Sequence, residues 1–211
     1  MRIAPLLLLV CAACNPEVDG AAEPPPESVR ERLQAGETRL MLSAADSAGS
    51  ITARRKVAGG AWDVGLADLA VDHGELVTSA DASGAITLDR LEITFAPIAI
   101  PPGVFGGDAA LTNVRAVLAK PATATTAWVD DDEAHTTVTL DLDVSWALTI
   151  GGGTVQLGSP HLPPVTLHVD FTGTGAFVHA DVRATARGEL WSWADLVKLE
   201  DLQLIVGADT P

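Results

Sequence analysis

Basic residues are scarce in this 211-residue chain, where 13 Lys and Arg stand against 28 Asp and Glu for a formal net charge of −15. A phosphate backbone needs a basic surface, so nucleic acid is excluded as an expected partner. Electrostatic docking to anionic lipid headgroups is disfavoured for the same reason. Cysteine is almost absent, with only Cys11 and Cys14, so the body of the chain holds no thiol nucleophile. No later apolar run is long enough to span a bilayer as a helix. There is no Gly-x-Ser-x-Gly and no phosphate-cradling glycine loop. The expectation is a non-enzymatic protein without a cofactor. What is present is core-forming material. The chain is 47% hydrophobic and only 19% charged, enough for one domain of ordinary size plus a tail.

The first residues read as a targeting segment. Met1-Arg2 gives a minimal positive start, and residues 3–10 form an apolar run too short to cross a membrane. Ala12-Ala13-Cys14 then resembles the lipobox of bacterial lipoprotein precursors, in which the Cys is acylated and the preceding peptide is removed. Cys14 fits because small residues precede it, whereas Cys11 follows bulky Val10. Asn15 after the Cys, rather than Asp, favours the outer membrane. Residues 1–13 are therefore predicted as a signal peptide, with Cys14 as the lipidation site and the lipid as the only membrane anchor. Residues 14–36 are predicted as a Pro-rich tether ending in a short helix over 27–35, where Val29 and Leu33 share a face and Gly36 can stop the helix. Residues 37–211 form the domain.

That domain reads as strands. Over residues 137–150, Val138, Leu140, Leu142, Val144, Trp146, Leu148 and Ile150 alternate with polar or small residues. A period of two predicts one strand about 45 Å long. Gly151-Gly152 supplies a tight turn that sets Val155 opposite Leu148 and Leu157 opposite Trp146. A second hairpin is placed at Gly173-Thr174, pairing Phe171 with Ala176, Val169 with Val178, Leu167 with Ala180 and Val165 with Val182. The stretches beginning Ala45-Asp46 and Ala80-Asp81 echo each other as Asp-x-x-Gly turns. In the second, Val77 is set against Leu88 and Glu75 against Arg90, with a phase slip between Leu88 and Leu91 that predicts a bulge. Pro97 ends that strand. Residues 108–118 fit both a helix face (Leu111, Val114, Leu118) and a strand face (Val114, Ala116, Leu118), and a short helix or irregular connection is favoured.

Several of these stretches, in order, resemble the YceI-like polyisoprenoid-binding family. The similar positions are Asp46 and Ser50, then His73-Gly74-Glu75-Leu76, Ile86 through Phe95, Asp108 with Leu111, and Pro121-Ala122-Thr123-Ala124-Thr125. Leu148-Thr149-Ile150-Gly151-Gly152-Gly153-Thr154 matches the family's most specific segment, and Val165-Thr166-Leu167-His168-Val169 looks like the strand after it. Thr125 stands where the family has an aromatic, and residues 156–163 look inserted. The resemblance implies an all-β, antiparallel, lipocalin-like barrel around an elongated apolar channel that holds an isoprenoid chain. The rows facing that channel would be Phe95, Leu140, Leu142, Val144, Trp146 and Leu148 on one side. Leu167, Val169 and Phe171 would face them.

Other chemistry is weaker. The second hairpin as registered sets His168 opposite His179 with Asp170 and Asp181 nearby, a set that could bind zinc or copper. A solvated outer face explains the same residues, so no metal is expected. Asp130-Asp131-Asp132-Glu133 lacks the alternate spacing of a calcium loop and reads as an acidic turn. Trp191 and Trp193 share a strand face and either close a barrel end or touch a membrane surface. The expected function is a cell-envelope lipoprotein that carries an apolar lipid. The alternative is a structural or interaction lipoprotein with a packed barrel and no ligand, and a metal binder comes third.

Overall fold

The computed structural model describes residues 25–100, 108–157, 162–193 and 196–211. Cys11, Cys14 and the rest of the N-terminal segment read above as a targeting signal lie outside these residues, as do Pro101 and Pro102.

One helix, α1 (Val29–Gln34), precedes an all-antiparallel sheet. The chain rises through β1 (Thr38–Lys56) and returns through β2 (Trp62–Leu69) and β3 (Val71–Ala80), both paired to β1. Next come β4 (Ile86–Phe95) and β5 (Ile98–Ile100), which pair with β6 (Ala109–Leu118). The short β7 (Ala122–Thr123) adds to β4, and β8 (Thr125–Trp128) adds to β9 (Glu133–Leu140). Asp141 alone separates β9 from β10 (Leu142–Ile150). β10 pairs with β6 and with β11 (Gly153–Leu157), whereas β9 pairs with β12 (Val165–Gly173). β13 (Val178–Trp193) joins β12, and β14 (Val197–Asp209) joins β13 and closes back on β1. In the ladder order, β10 and β9 lie near opposite ends, yet a single residue links them. The sheet must therefore curl until its two ends meet at Asp141. The arrangement is barrel-like, with the ladder interrupted at that residue.

Alternation decides which side is which. Along β9 and β10, Ala134, Val138, Leu140, Val144, Trp146 and Leu148 are buried, while His135, Thr137, Thr139, Asp143 and Ser145 are exposed. On β12, Val165, Leu167, Val169 and Phe171 turn inward. The interior is apolar and the outer face of these strands polar. A barrel that crosses a membrane with its strands needs the reverse, an apolar band outside. Burial of the inner row drives closure, at about 0.8 kcal/mol per methylene.

The helix blocks one end. Six residues cannot hold a helix alone, so α1 depends on docking. Ser28 caps it, its Oγ accepting from the Glu31 N–H at 3.2 Å. Val29 and Leu33 are fully buried. The acidic turn 130–133 holds the first turn of the helix. Asp132 Oδ1 accepts from the Val29 N–H at 3.2 Å, and the Asp131 carbonyl accepts from the Arg30 N–H at 2.9 Å. Arg30 also lies over the Trp128 ring, whose indole N–H donates to the Gly84 carbonyl at 2.7 Å. Gln34 donates to the Asp81 carbonyl at 3.0 Å. Turns 81–85, 129–133 and 173–178 thus mark the helix end, and turns 57–61 and 151–152 mark the far end.

Several expectations are corrected. Of residues 108–118, all but Asp108 form strand β6, not a helix. Asn113 sits at φ 53° where the β6–β10 register shifts, so the buried residues jump from Leu111 to Val114. That three-residue step imitates a helix face. The stretch at Asp46 is not a hairpin turn but an irregular part of β1, where the pairing passes from Leu42↔Ala208 to Ser47↔Val206. Its echo at Asp81 is a turn, with Asp81 Oδ1 accepting from the Ser83 and Ala85 N–H groups at 2.8 and 3.0 Å. The single strand over 137–150 is divided at Asp141. The second hairpin is registered four residues away from expectation, with Phe171 opposite Ala180, Val169 opposite Val182 and Leu167 opposite Ala184. Its loop runs from Thr174 to Phe177, closed by Thr174 N–H donating to the Phe177 carbonyl at 2.7 Å. The bulge predicted between Leu88 and Leu91 is present. Val77 faces Arg90 while Thr78 faces Leu88, leaving Asp89 over. Val77 therefore does not face Leu88, and Glu75 faces Glu92, although the Glu75 and Arg90 side chains still pair at 3.0 Å.

Candidate functional site

The curl of the sheet brings inward residues of β1, β4, β6, β10, β13 and β14 around one small void. Three of the inward positions are Ala116, Ala184 and Ala186, and their short side chains leave space that larger neighbours do not fill. The resulting cavity measures about 60 Å³. Ile51, Leu69, Ile93, Leu111, Val114, Val165, Leu190, Leu202 and Leu204 complete much of its wall. Every lining side chain is apolar except for the indole of Trp146. A water needs two to four polar partners, so a void of this kind stays dry.

Of the residues singled out from the sequence, Phe95, Leu142, Val144 and Trp146 line this cavity. Leu140, Leu167, Val169 and Phe171 do not, Leu140 being buried beside the cavity-lining Val165 and the other three packed into the core toward the helix end. Leu148 is buried near the far end, also outside the cavity wall. The long row therefore divides into a cavity-lining part and a filled part. Sequence reading missed Ala116, Ala184 and Ala186, whose signal was available as small residues on the inward phase of a strand.

Trp146 is 4% exposed, and its indole Nε1 has no hydrogen-bond partner. Its ring meets Trp191 edge-on, with centroids 6.2 Å apart and planes at 80°. Trp191 therefore packs on the core; the Trp193 side chain lies outside the described residues. Phe95, Leu142, Leu162 and Leu202 are only partly buried where they border the cavity.

The outer polar face is a separate matter. The observed register separates the two His residues expected to oppose each other. His168 faces Arg183 across β13 and lies 2.9 Å from the Thr137 hydroxyl. His179 instead bonds Asp209 at 2.7 Å and Asp181 at 3.4 Å. The Asp209 bond raises the His179 pKa above 6.5; partial burial opposes it and Asp181 adds to it. Asp170 accepts from His135 at 2.8 Å and pairs with Arg183. Among the described residues no group of three or more His, Cys, Asp or Glu has a metal-holding arrangement.

No family model matches this chain, and no curated protein matches it. Among solved structures it is similar to Ail, the attachment invasion locus protein of Yersinia pestis. The identity is 15% and the TM-score 0.32, over 82% of this chain and 98% of that one. A likeness at that level assigns neither fold nor activity. Among the described residues no helix is long and apolar enough to cross a membrane.

Proposed function

We propose that this chain is a cell-envelope lipoprotein, anchored through Cys14 and in the outer membrane, whose lipocalin-like domain binds the apolar part of an isoprenoid or similar lipid. The observation that carries the reading is a cavity inside the barrel-like sheet whose lining is apolar apart from the indole of Trp146. Transfer of a chain into such walls is favourable at about 0.8 kcal/mol per methylene. The cavity as it stands takes only the tip of a chain, since even a benzene-sized ligand occupies a cavity of about 150 Å³. Deeper entry requires Phe95, Leu142, Leu162 and Leu202 to swing, and their partial burial supports that movement.

The test is mass spectrometry of lipid retained by the purified domain, beside the Leu142→Trp variant. Wild type should retain an apolar lipid, and the variant should lose it while keeping its far-UV spectrum. Absence of lipid from wild type, with no uptake from vesicles, sinks the carrier reading. Cys14→Ser should abolish labelled fatty-acid incorporation, and label that persists on Cys11 moves the anchor.

The small size of the cavity favours a second reading, a structural or interaction lipoprotein whose barrel needs no ligand. Retention of lipid by wild type and its loss from Leu142→Trp decide against it.

A further inference from the structure

The wall of β1 continues past the cavity. Ile51 lines it, Ala53 is buried on the same face, and Arg55 is the next residue in that phase. The one register shift in this stretch, between Ile51 and Thr52, leaves over Asp201 of β14 and not a residue of β1, and from Thr52 on, Ala53, Arg54 and Arg55 pair in sequence to Leu199, Lys198 and Val197 on one side. On the other side they pair to Gly65, Val64 and Asp63. Successive residues alternate faces, so Arg55 is directed to the inner side of the sheet at the far end. It stands about 13 Å from Ile51 along the strand.

The charge of Arg55 is not answered. Its neighbour Arg54 points the other way and pairs with Glu200 at 2.5 Å. Arg55 has no ion pair among the described residues, and its Nε is buried without a hydrogen-bond partner. Asp63 stands directly across from it but is exposed and forms no ion pair with it. Arg32, Lys56 and Arg187 also lack ion pairs, but these three stand exposed to water. Arg55 is half-buried, and a guanidinium partly withdrawn from water with no ion pair costs free energy that an incoming anion would recover. Among the described residues the buried side-chain nitrogen and oxygen atoms without a hydrogen-bond partner are the Nε of Arg54, which is ion-paired with Glu200, the Nε of Arg55 and the indole Nε1 of Trp146, all of them donors.

We propose that the ligand is a single-chain amphiphile with an anionic headgroup, a carboxylate or a phosphate, whose chain enters the apolar cavity while Arg55 holds the headgroup at the far end. The guanidinium fork suits both anions. This assignment rests on the apolar-ligand reading above and adds the headgroup to it. The net charge of −15 repels anions at long range, so selection depends on this local contact.

The experiment titrates the full chain, followed by Trp fluorescence, with dodecanoate against dodecanol and farnesyl phosphate against farnesol. At least one anion should bind about tenfold or more tightly than its alcohol, as expected for a charge-assisted hydrogen bond. The pair that shows the preference identifies carboxylate or phosphate. Arg55→Gln should erase the preference and leave alcohol binding unchanged. Arg55→Lys should keep part of it, and Asp63→Asn should enlarge it. Equal binding of anions and alcohols by wild type overturns the headgroup assignment while the lipid-binding reading stands. So does a preference that survives in a folded Arg55→Gln protein. If no probe binds at all, both fall.

Discussion

The two ends of the barrel-like sheet solve the same packing problem differently. At the helix end, Phe171 lies between Ala134 and Ala180 on the neighbouring strands, so a large side chain faces small ones and the layer fills. Phe171, Leu33, Leu40 and Leu76 are all fully buried there. Toward the far end, Ala116 of β6 and Ala184 and Ala186 of β13 border a void, and four of the residues around it, Phe95, Leu142, Leu162 and Leu202, are only partly buried. The first arrangement contributes stability; the second forgoes contacts and leaves room. A chain whose fold is secured at one end can keep the other incompletely packed, which a binding site requires.

Substitutions can break this comparison in order of size. Phe171→Ala should destabilise by about 3–5 kcal/mol, because it removes a large side chain from a filled layer. Denaturant unfolding measures it, and a loss under 1 kcal/mol would mean that the helix end is not the stable one. Leu33→Ala should cost about 2–5 kcal/mol if the helix is integral to the core. Native-state hydrogen exchange should then show faster exchange at turns 81–85 and 129–133 than at strands of the far end. In contrast, Ala186→Val at the cavity should change stability by less than about 1 kcal/mol in either direction, since the added methyls enter empty space. A large loss would show that the void closes in solution.

The smallest expected effect is on pH. The His179 pKa is raised in the folded state by its bond to Asp209. The protonated form is therefore favoured on folding, and its contribution is complete below about pH 6.5 and disappears as pH rises through the higher folded value. The side chain is 34% exposed, so the contribution is at most about 1 kcal/mol. Thermal melts between about pH 5.5 and 8.5 should show this decline in wild type. His179→Gln should flatten it, and an identical decline in the variant would place its origin elsewhere.

Much of the sheet was legible because its signal is local. The pairs Leu148↔Val155 and Trp146↔Leu157 follow from alternation plus a two-glycine turn, and both are observed. The bulge at Asp89 was visible as a slip of apolar phase. The hairpin from β12 to β13 was misregistered for an instructive reason. A slip of four residues is even, so every inward residue remains inward and the hydrophobic pattern cannot detect it. Only the longer loop closed between Thr174 and Phe177 fixes the pairing, and the lone Gly173 suggested a tighter one. The odd slip at Asn113 had the opposite effect, turning a strand into an apparent helix. The cavity was legible only in part. Four of its residues lie on the rows that alternation marks, but the void itself arises where Ala116 of β6 meets Ala184 and Ala186 of β13, which no single segment reveals. The same is true of the unanswered charge on Arg55, which depends on what Asp63 and Glu200 do across two ladders.

The place where the chain enters the fold has a mechanical consequence. Residues N-terminal to Val29 join the domain at α1, directly beside Gly175, where any side chain would overlap the Pro26 backbone. A pull on those residues loads the helix before it loads any strand. The helix is held by a few contacts that can give way one at a time, whereas β1 is bound along both edges and must fail in shear. Tension on those residues would thus peel the helix off β3 and β12 first, while the ladder of strands stays whole.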